Sequence, residues 1–300
     1  MVEKKTIISP LRYPGSKRRL VGYITEALEL NSFKPSLYVE PFVGGGSSAI
    51  NLLSANMVEK AILVDIDPWI ASFWQTVFFD TEWLIEQIKT VEVSLDQYYK
   101  YKSSTPTMVR DQAITCLFLN RTSFSGILKK RTGPIGGKDQ KSEYTIDCRF
   151  TPKTRITLIN RIIQISQYAN RIIGVWCCSW DEAVKKIREE QAANNFPQED
   201  LFFYLDPPFF KQADALYRYY FTDEDHKALR DFLLSLEDKW LLSYDSAEQV
   251  EILYGEALRK RTNSTKHHNI DLTYTIAGVS ERKKGKEFIL SNFDNLPNID

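Results

Sequence analysis

The sequence predicts an α/β fold in which helices cover both faces of a parallel sheet. Four short apolar runs have the length and composition of buried strands: Leu37 to Glu40, Ala61 to Asp65, Ile172 to Trp176 and Leu201 to Asp206. The first, second and fourth end on or beside an acid, which glycine or proline and then a helical pattern follow. Such strand–turn–helix units place ligands at the carboxyl ends of the strands.

The remaining chain adds later strands, several helices and an insertion. The later strands are expected at Trp240 to Ser243, Arg259 to Ser264 and Glu287 to Ser291. Helical patterns cover Lys17 to Glu29, Pro68 to Phe78, Thr105 to Asn120, Arg155 to Asn170 and Asp223 to Leu236. The alternation of strands and helices stops between about Trp74 and Ile172. We therefore predict a sheet domain made of residues 1–75 and 172–300, with residues 76–171 inserted as a second domain.

The amino-acid composition limits how the chain could bind nucleic acid, metals or membranes. Lysine and arginine number 39, as do aspartate and glutamate, so no global field draws the chain to nucleic acid. Any nucleic-acid surface must then be a local basic patch. Four cysteines without a CxxC pair favour a reducing cytoplasm, and three histidines without zinc-ligand spacing predict no structural metal. No apolar run reaches membrane-spanning length.

Two stretches have the pattern of a cofactor site. From Val39 to Ser47, a strand leads into three glycines, whose missing Cβ atoms let a ligand approach the backbone. This spacing is neither a GxGxxG dinucleotide motif nor a phosphate loop, and it also suits a plain turn. About twenty residues later, Asp65 is placed to accept hydrogen bonds from a ribose diol. Alternatively, Asp65 or Asp67 caps the helix that begins near Pro68.

Two further stretches suggest a substrate pocket and a helix start. Asp206, Pro207, Pro208 and Phe209 follow a strand, and the two prolines make a rigid turn. Asp206 and the Pro207 carbonyl would accept hydrogen bonds from an amino-bearing heterocycle, while Phe209 stacks on its ring. As a bare tetrapeptide this is also compatible with a plain turn. Leu11 to Lys17 opens the first helix, where Ser16 can simply act as the cap.

In this order, the four stretches resemble the Dam-type class of adenine-specific DNA methyltransferases over nearly the whole chain. The shared segments are Tyr13 to Lys17, Glu40 to Ser47, Asp65, Asn120 to Gly126, Asp206 to Phe209, Ser243-Tyr244 and Lys286 to Asn292. The resemblance implies a Rossmann-like methyltransferase sheet with helices on both faces and an inserted, mainly helical DNA-recognition domain. It also implies methyl transfer from S-adenosyl-L-methionine to the N6 amino group of an adenine flipped out of DNA.

The resemblance assigns site residues one by one. Contacts to S-adenosyl-L-methionine would come from Tyr13, Lys17, Asp65 and Asp206, with Phe42, Gly44 and Gly46 shaping the loop. The adenine pocket would be formed by Asp206, Pro207, Pro208 and Phe209. Phe209 stands where the family usually has tyrosine, so the stacking face is kept and the phenol hydroxyl is lost.

A basic stretch is the candidate contact to double-stranded DNA. From Asn120 to Arg171, eleven lysines and arginines stand against three acids, although such a run is often only a solvated face. The DNA-binding candidates are Asn120, Arg121, Phe124, Lys129, Lys130, Arg131 and Lys138. Tyr217 and the aromatic residues after it could close over the flipped base or pack in the core. We expect a monomer or weak dimer in the cytoplasm of a prokaryotic or viral host cell, with a cognate restriction endonuclease as a possible partner.

Three other functions fit parts of the pattern. Methylation of the cytosine N4 amino group or of RNA uses nearly the same chemistry. A nucleotide-dependent oxidoreductase would use the glycine loop but lacks GxGxxG. A catalytically inactive DNA-binding relative would not need the intact Asp206-Pro207-Pro208 sequence.

Overall fold

The computed structural model describes residues 6–197, 200–210, 213–245, 248–260, 266–274 and 283–298. Its strands are β1 (Leu37–Glu40), β2 (Lys60–Val64), β3 (Ile172–Trp176), β4 (Leu201–Leu205), β5 (Lys239–Asp245), β6 (Lys266–Tyr274) and β7 (Lys283–Ser291). They form one seven-stranded sheet in the order β3-β2-β1-β4-β5-β7-β6. The first five strands are parallel, and β7 is antiparallel to both of its neighbours. The predicted α/β fold is confirmed.

Helices connect the strands and cover both faces of the sheet. Their bounds are α1 (Val21–Leu30), α2 (Ser47–Ala55), α3 (Pro68–Phe79), α4 (Thr81–Thr90), α5 (Leu95–Ser103), α6 (Val109–Thr122), α7 (Pro152–Ser166), α8 (Trp180–Ala192), α9 (Ala213–Leu216), α10 (Asp223–Ser235) and α11 (Glu248–Lys260). A 3₁₀ turn at Lys17–Leu20 leads into α1.

Alternating strand side chains separate two apolar cores. On β4, Phe202 and Tyr204 face one core, whereas Leu201, Phe203 and Leu205 face the other. Side chains of α1, α2, α3, α6 and α7 complete the first core, and those of α8, α10 and α11 complete the second. Both faces of β4 are covered, and every one of its residues is buried. This explains why its sequence is a continuous apolar run and does not alternate between apolar and polar residues.

The insertion is helical, as expected, and packs on the first core. Leu84, Phe118 and Ile162, from α4, α6 and α7, are fully buried in the same cluster as Tyr38 of β1. Residue 76 lies inside α3, so that helix crosses the expected boundary between the two domains. The inserted segment therefore shares its hydrophobic stabilisation with the sheet.

One strand prediction is wrong and one helix begins later than predicted. Arg259 and Lys260 belong to α11, residues 261–265 lie outside the described residues, and the strand begins at Lys266. The apolar positions that indicate α11 recur at helical rather than strand spacing, with Val250 and Tyr254 both buried. Helix α6 begins at Val109 rather than Thr105, since Pro106 disfavours helical geometry in the residue before it.

Candidate active site

A cavity opens at the carboxyl ends of β1, β2 and β4, where the strand order reverses. From β1 the chain proceeds to β2 on one side, while β4 lies on the other side. The cavity has a volume of about 380 Å³. Its lining includes every residue that was predicted to contact the cofactor: Tyr13, Lys17, Phe42, Gly44, Gly46, Asp65 and Asp206. Ligands of open α/β sheets bind at such a switch point.

The glycine loop between β1 and α2 forms one wall. Gly44 and Gly46 have φ angles of +43° and +63°, in the left-handed region that favours glycine. A Cβ on Gly44 would lie 2.6 Å from Cε1 of Tyr13, and a Cβ on Gly46 would lie 2.5 Å from Cζ2 of Trp74. Trp74 Nε1 also donates a hydrogen bond of 2.9 Å to the Gly44 carbonyl. Backbone conformation and the adjacent aromatic rings both require glycine here.

Asp65 follows β2 and holds the glycine loop. Its Oδ2 accepts a hydrogen bond from Gly44 N, and its Oδ1 accepts one from Asp67 N, both at 2.9 Å. Each carboxylate oxygen has a further lone pair, so Asp65 can still accept hydrogen bonds from a ligand. Burial is the main cause that raises the pKa of Asp65 to about 7, and the nearby Asp67 carboxylate adds to the rise.

The helix-capping role considered for either aspartate belongs to Asp67. Its Oδ1 accepts a hydrogen bond of 2.9 Å from Trp69 N at the start of α3. The same oxygen lies 2.7 Å from Nη1 of Arg218. Asp67 therefore caps α3 and joins it to the segment that follows the Asp206 turn.

Glu40 is a second buried carboxyl on the cavity wall. Its Oε2 accepts hydrogen bonds of 3.0 Å from the Tyr38 hydroxyl and from Ala49 N. Burial raises the pKa of Glu40 to about 8, and the two hydrogen bonds offset part of that rise. These partners orient the carboxyl across the turn between β1 and α2.

Asp206 lies directly after β4 and pairs with Lys17. Its Oδ1 lies 2.7 Å from Lys17 Nζ and accepts a hydrogen bond of 3.3 Å from the Ser243 hydroxyl. Lys17 is 3% exposed, donates to the Gly15 carbonyl at 3.1 Å and lies 3.4 Å from Glu287 Oε1. Burial, the largest influence, lowers the pKa of Lys17, but the two carboxylates raise it well above its ordinary value. Lys17 therefore remains a buried cation.

Burial also governs the charge of Asp206 itself. It raises the pKa of Asp206, and the Lys17 ammonium and the Ser243 hydroxyl offset part of the rise. The hydrogen bonds that Asp206 accepts from described residues reach Oδ1. The cavity wall thus carries a carboxylate whose inner oxygen is held by a lysine and a serine.

Of the three residues after Asp206, the two prolines line the cavity and the phenylalanine lies at its border. Pro207 and Pro208 line the cavity. The Phe209 ring instead packs edge-on against Tyr217, with ring centroids 5.7 Å apart, and Lys17 Nζ lies 5.5 Å from its centroid. It also closes over Gly15, where a Cβ would lie 2.7 Å from Phe209 Cζ. Phe209 therefore borders the cavity on the Lys17 side.

An aromatic segment, residues 217–221, lines the cavity after the Asp206 turn. All five of its side chains line the cavity. The Tyr217 ring centroid lies 5.7 Å from that of Tyr13, and Phe221 packs edge-on against Phe42 at 5.6 Å. The Arg218 guanidinium lies 3.6 Å from the Trp69 ring centroid. Tyr219 and Tyr220 are exposed, whereas Phe221 also packs against the second core, so closure of this segment over a flipped base stays a prediction.

Most of the exposed DNA-binding candidates lie on a basic hairpin, residues 122–135. Backbone hydrogen bonds from Phe124 N to Gly133 O and from Ile135 N to Thr122 O close it. Phe124 is 58% exposed near one end, while Lys130 and Arg131 are exposed and Lys129 is half-buried. Lys138 follows the hairpin and is exposed.

The basic hairpin contacts the aromatic segment that lines the cavity. Lys129 Nζ lies 4.9 Å from the Tyr220 ring centroid. Arg131 Nη2 donates a hydrogen bond of 3.1 Å to the Asp214 carbonyl. The exposed cations are thus close to the cavity mouth, although the candidates on the hairpin do not line the cavity.

Asn120 and Arg121 are buried beneath this hairpin. The Asn120 amide accepts a hydrogen bond from Arg12 N at 2.8 Å and donates to Arg12 O and Gly126 O, both at 2.9 Å. Arg121 donates to Pro10 O at 2.6 Å. Burial, with smaller contributions from neighbouring arginines, lowers the pKa of Arg121 to about 9. Asn120 therefore anchors the N-terminal segment to the hairpin and has no exposed surface.

Several residues at the cavity were not identified from the sequence. Cys178 to Asp181 line it because they follow β3, whose carboxyl end meets the same edge of the sheet. The end of that third strand was the available signal. Ser243 and Glu287 lie in two of the segments that carry the family resemblance, but the sequence assigned no role to either. Both residues, like Arg218, reach the site through tertiary contacts.

The described residues lack two kinds of feature. They contain no helix with the length and apolar character to cross a membrane. They also contain no group of three or more histidine, cysteine, aspartate or glutamate side chains placed to hold a metal ion.

Comparisons with known proteins identify the family. The profile of the D12 class N6 adenine-specific DNA methyltransferases matches residues 13–276. The type II methyltransferase M.MjaIII of Methanocaldococcus jannaschii is 22% identical over 250 residues, which cover 76% of this chain and 80% of that protein.

Two solved structures of methyltransferases also align with the chain. A putative RNA methyltransferase from Pyrococcus horikoshii aligns with a TM-score of 0.42 and 8% identity, over 97% of this chain and 90% of that one. The C-terminal domain of precorrin-6Y C5,15-methyltransferase from Rhodobacter capsulatus aligns with a TM-score of 0.37 and 8% identity, over 96% and 99% of the two chains. The family assignment therefore depends on the sequence match, which covers most of the chain: the protein belongs to the D12 class of N6 adenine-specific DNA methyltransferases.

Proposed function

We propose that the cavity binds S-adenosyl-L-methionine beside Asp206, with the target adenine entering between Asp206 and the aromatic segment. The glycine loop supports this, because the left-handed backbone of Gly44 and Gly46, packed closely against Tyr13 and Trp74, places main-chain groups on the cavity wall. Asp65 retains lone pairs for a ribose diol while it holds that loop. The residues present therefore fit the cofactor.

Charge also favours a cationic methyl donor. The cavity lining contains six acids (Glu40, Asp65, Asp67, Asp181, Asp206 and Asp225) and two bases (Lys17 and Arg218). Such a surplus of carboxyls stabilises a positively charged sulfonium. When bound, S-adenosyl-L-methionine supplies an electrophilic methyl group at this position.

Asp206 and the Pro207 carbonyl orient the target nitrogen. Both accept hydrogen bonds from the adenine amino group, which favours a tetrahedral nitrogen and stabilises the positive charge that it gains. Methyl transfer to N6 would release the donor sulfur as a neutral thioether, and Asp206 and the Pro207 carbonyl would hold the methylated nitrogen until its surplus proton passes to water. Asp206 need not be a strong base, because that nitrogen becomes acidic on methylation. Tyr217, which lines the cavity, supplies the ring against which the base stacks, and Phe209, which packs edge-on against it at the cavity border, supports that ring.

The observation that carries this proposal is the Lys17–Asp206 pair of 2.7 Å on the wall of the cavity that the glycine loop also lines. Asp206→Asn keeps the shape of the side chain but removes its charge. We expect kcat to fall by roughly 10²–10³-fold while the affinity for S-adenosyl-L-methionine changes much less. The measurement is transfer of labelled methyl groups to unmethylated DNA, with mass analysis of the product base.

The matched control is Asp231→Asn. Asp231 is an exposed acid on α10 that pairs with Arg230 outside the cavity, so turnover should be unchanged. Near-normal turnover of folded Asp206→Asn would contradict the proposed role. Formation of N4-methylcytosine, or methylation of RNA alone, would contradict the choice of adenine as target.

For double-stranded DNA, we propose the basic hairpin and Lys138 as the contact surface within a target-recognition insertion, residues 76–171. Lys129, Lys130 and Arg131 would bind phosphates beside the cavity mouth. Phe124 would fill the gap left by the flipped base, because its ring is exposed beside the Gly126 turn that packs on Arg12. Asn120 and Arg121 would act by supporting this hairpin from below.

The type II designation of the Methanocaldococcus relative supports pairing with a cognate restriction endonuclease. We propose that the chain acts as a monomer or weak dimer in the cytoplasm of a prokaryotic or viral host cell and protects DNA there. Plasmid DNA from expressing cells should then resist one restriction specificity. Unaltered digestion by every enzyme tested, despite methylated adenine in the plasmid, would contradict a protective role.

A further inference from the structure

Glu287 is a buried acid on β7 that no step of the proposed reaction uses. Its side chain is fully buried, and it stands opposite Asp245 of β5 in the sheet. The ion pair with Lys17, at 3.4 Å, is its charged contact among the described residues. Neither carboxylate oxygen makes a well-aligned hydrogen bond to a described residue.

An apolar residue would be the less costly choice at this position. The next three residues of the strand, Phe288, Ile289 and Leu290, are all buried in the apolar cores. A buried carboxyl with few hydrogen bonds costs folding free energy, and replacing it with an apolar side chain is often stabilising. Stability therefore does not explain the glutamate, whereas its place beside Lys17 suggests a role at the site.

Lys17 lies between two carboxylates at unequal distances. Nζ is 2.7 Å from Asp206 and 3.4 Å from Glu287. With Asp206 alone, the ammonium would form a neutral pair. With Glu287 ionised as well, the three groups together carry one negative charge.

We infer that Glu287 is a positioning residue for methyl transfer: it shares the Lys17 ammonium with Asp206, so that Asp206 keeps negative charge toward the adenine amino group. This inference rests on the proposed role of Asp206. The excess negative charge is available where the amino nitrogen becomes positive, and the surrounding protein is already ordered to provide it.

Among the described residues, the titratable groups that act most on Glu287 belong to the same cluster or to β5. Asp206 and Asp245 carry negative charge toward it, and Lys17 carries positive charge. Tyr204 and Tyr217 also surround the Lys17 ammonium, and burial raises the pKa of both phenols, so they stay neutral near pH 8.

The titration of Glu287 should make the reaction rate depend on pH in a recognisable way. Burial raises the pKa of Glu287 to about 8, and Lys17 offsets part of the rise. Above that pH the triad of Asp206, Lys17 and Glu287 carries one negative charge, and below it Glu287 is protonated and the triad is neutral. A protonated glutamate and a glutamine are alike in shape and charge.

The test is the pH profile of kcat for wild type and Glu287→Gln, with both substrates saturating. At about pH 9 the variant should be slower by about tenfold, with smaller changes in KM. As the pH falls toward about 6.5, the wild-type rate should approach that of the variant, because Glu287 becomes neutral. Glu287→Asp, which keeps the charge, should recover part of the pH-dependent rate.

Glu40→Gln is the matched comparison. Glu40 is also buried and its pKa is also raised to about 8, but its carboxyl is held by Tyr38 and Ala49 rather than Lys17. Because Glu40 lines the cavity, its substitution should alter the KM for the cofactor. The variant should nevertheless keep the part of the kcat profile that Glu287→Gln removes.

Several outcomes would overturn the inference. A folded Glu287→Gln with wild-type kcat at every pH, or a rate ratio that is constant with pH, would assign Glu287 a purely structural role. Loss of the same pH dependence in Glu40→Gln would assign the titration to Glu40. If Asp206→Asn is inactive and Glu287→Gln is normal, the inference fails while the proposed function stands. An active Asp206→Asn would instead contradict the proposed function itself.

Discussion

The cavity and the basic hairpin are adjacent, yet they hold their charges in opposite ways. Asp65 and Asp206 directly follow β2 and β4, and Glu287 lies in the middle of β7. Asp65 and Glu287 are buried and Asp206 is half-buried, and each has a defined partner. Lys130, Arg131 and Lys138 lie in irregular backbone and are exposed. Buried charges interact strongly at short range, whereas exposed charges act weakly and are screened by salt. The cavity is therefore suited to orienting reacting groups, and the hairpin to attracting a polyanion.

Of the variants that test this comparison, the one in the cavity should have the largest effect, on the affinity for S-adenosyl-L-methionine. Gly46→Ala places a Cβ 2.5 Å from the Trp74 ring on a backbone with φ of +63°. The strained conformation costs about 1–2 kcal/mol, which the chain can relieve by moving the loop away from Trp74. Because the loop lines the cavity, such a shift should weaken binding of S-adenosyl-L-methionine at least about tenfold. Calorimetry measures the affinity, and a thermal melt measures the fold.

Gly22→Ala is the control for that substitution. Gly22 lies in α1, and a Cβ there would meet no atom within 4 Å. Alanine should leave cofactor affinity unchanged and stabilise the helix by a few tenths of a kcal/mol to about 1 kcal/mol. Equal affinities in both variants would show that the loop does not contact the cofactor.

A smaller, salt-dependent effect should come from the hairpin. Replacing Lys129 and Lys130 with glutamine removes two candidate phosphate contacts. The slope of log K for DNA against log salt concentration should then fall in magnitude by about 2. Fluorescence anisotropy with a labelled duplex at several salt concentrations gives this slope.

Lys34 and Lys60 provide the matched pair for the hairpin. Both are exposed near the amino ends of parallel strands, at the opposite edge of the sheet from the cavity. Glutamine at both positions should leave the salt slope unchanged. If the two double variants behave alike, the hairpin has no special part in DNA binding.

The smallest effect is a pH dependence of cofactor affinity. Burial raises the pKa of Asp65 to about 7 and of Glu40 to about 8, so both carboxyls gain negative charge as the pH rises through this range. Affinity for the sulfonium-bearing S-adenosyl-L-methionine should therefore increase several-fold between about pH 6 and about pH 9. S-adenosylhomocysteine, which lacks the sulfonium charge, should show a weaker trend. Parallel trends for the two ligands would argue against a carboxyl field at the sulfonium.

The sequence by itself determined the strand–turn–helix units and the residues at their ends. Buried strands are apolar throughout, as β4 is, or up to a closing acid, as β1 is up to Glu40, and the glycines and prolines that follow them have local backbone reasons to be there. Because carboxyl ends of parallel strands meet at one edge, the strand pattern alone predicts that Gly44, Asp65 and Asp206 lie together. The placement of Lys17 at the same site was predicted from the family resemblance alone.

Tertiary structure alone decided which distant groups share charge or hydrogen bonds. Glu287 sits in an apolar strand pattern, and only the pairing of β5 with β7 brings it to Lys17. Asn120 belongs to the basic stretch but is buried, because its amide pairs with the backbone of Arg12. Periodicity along a chain reports which face of an element is buried. It carries no information about which strand becomes its neighbour or which buried polar group becomes its partner.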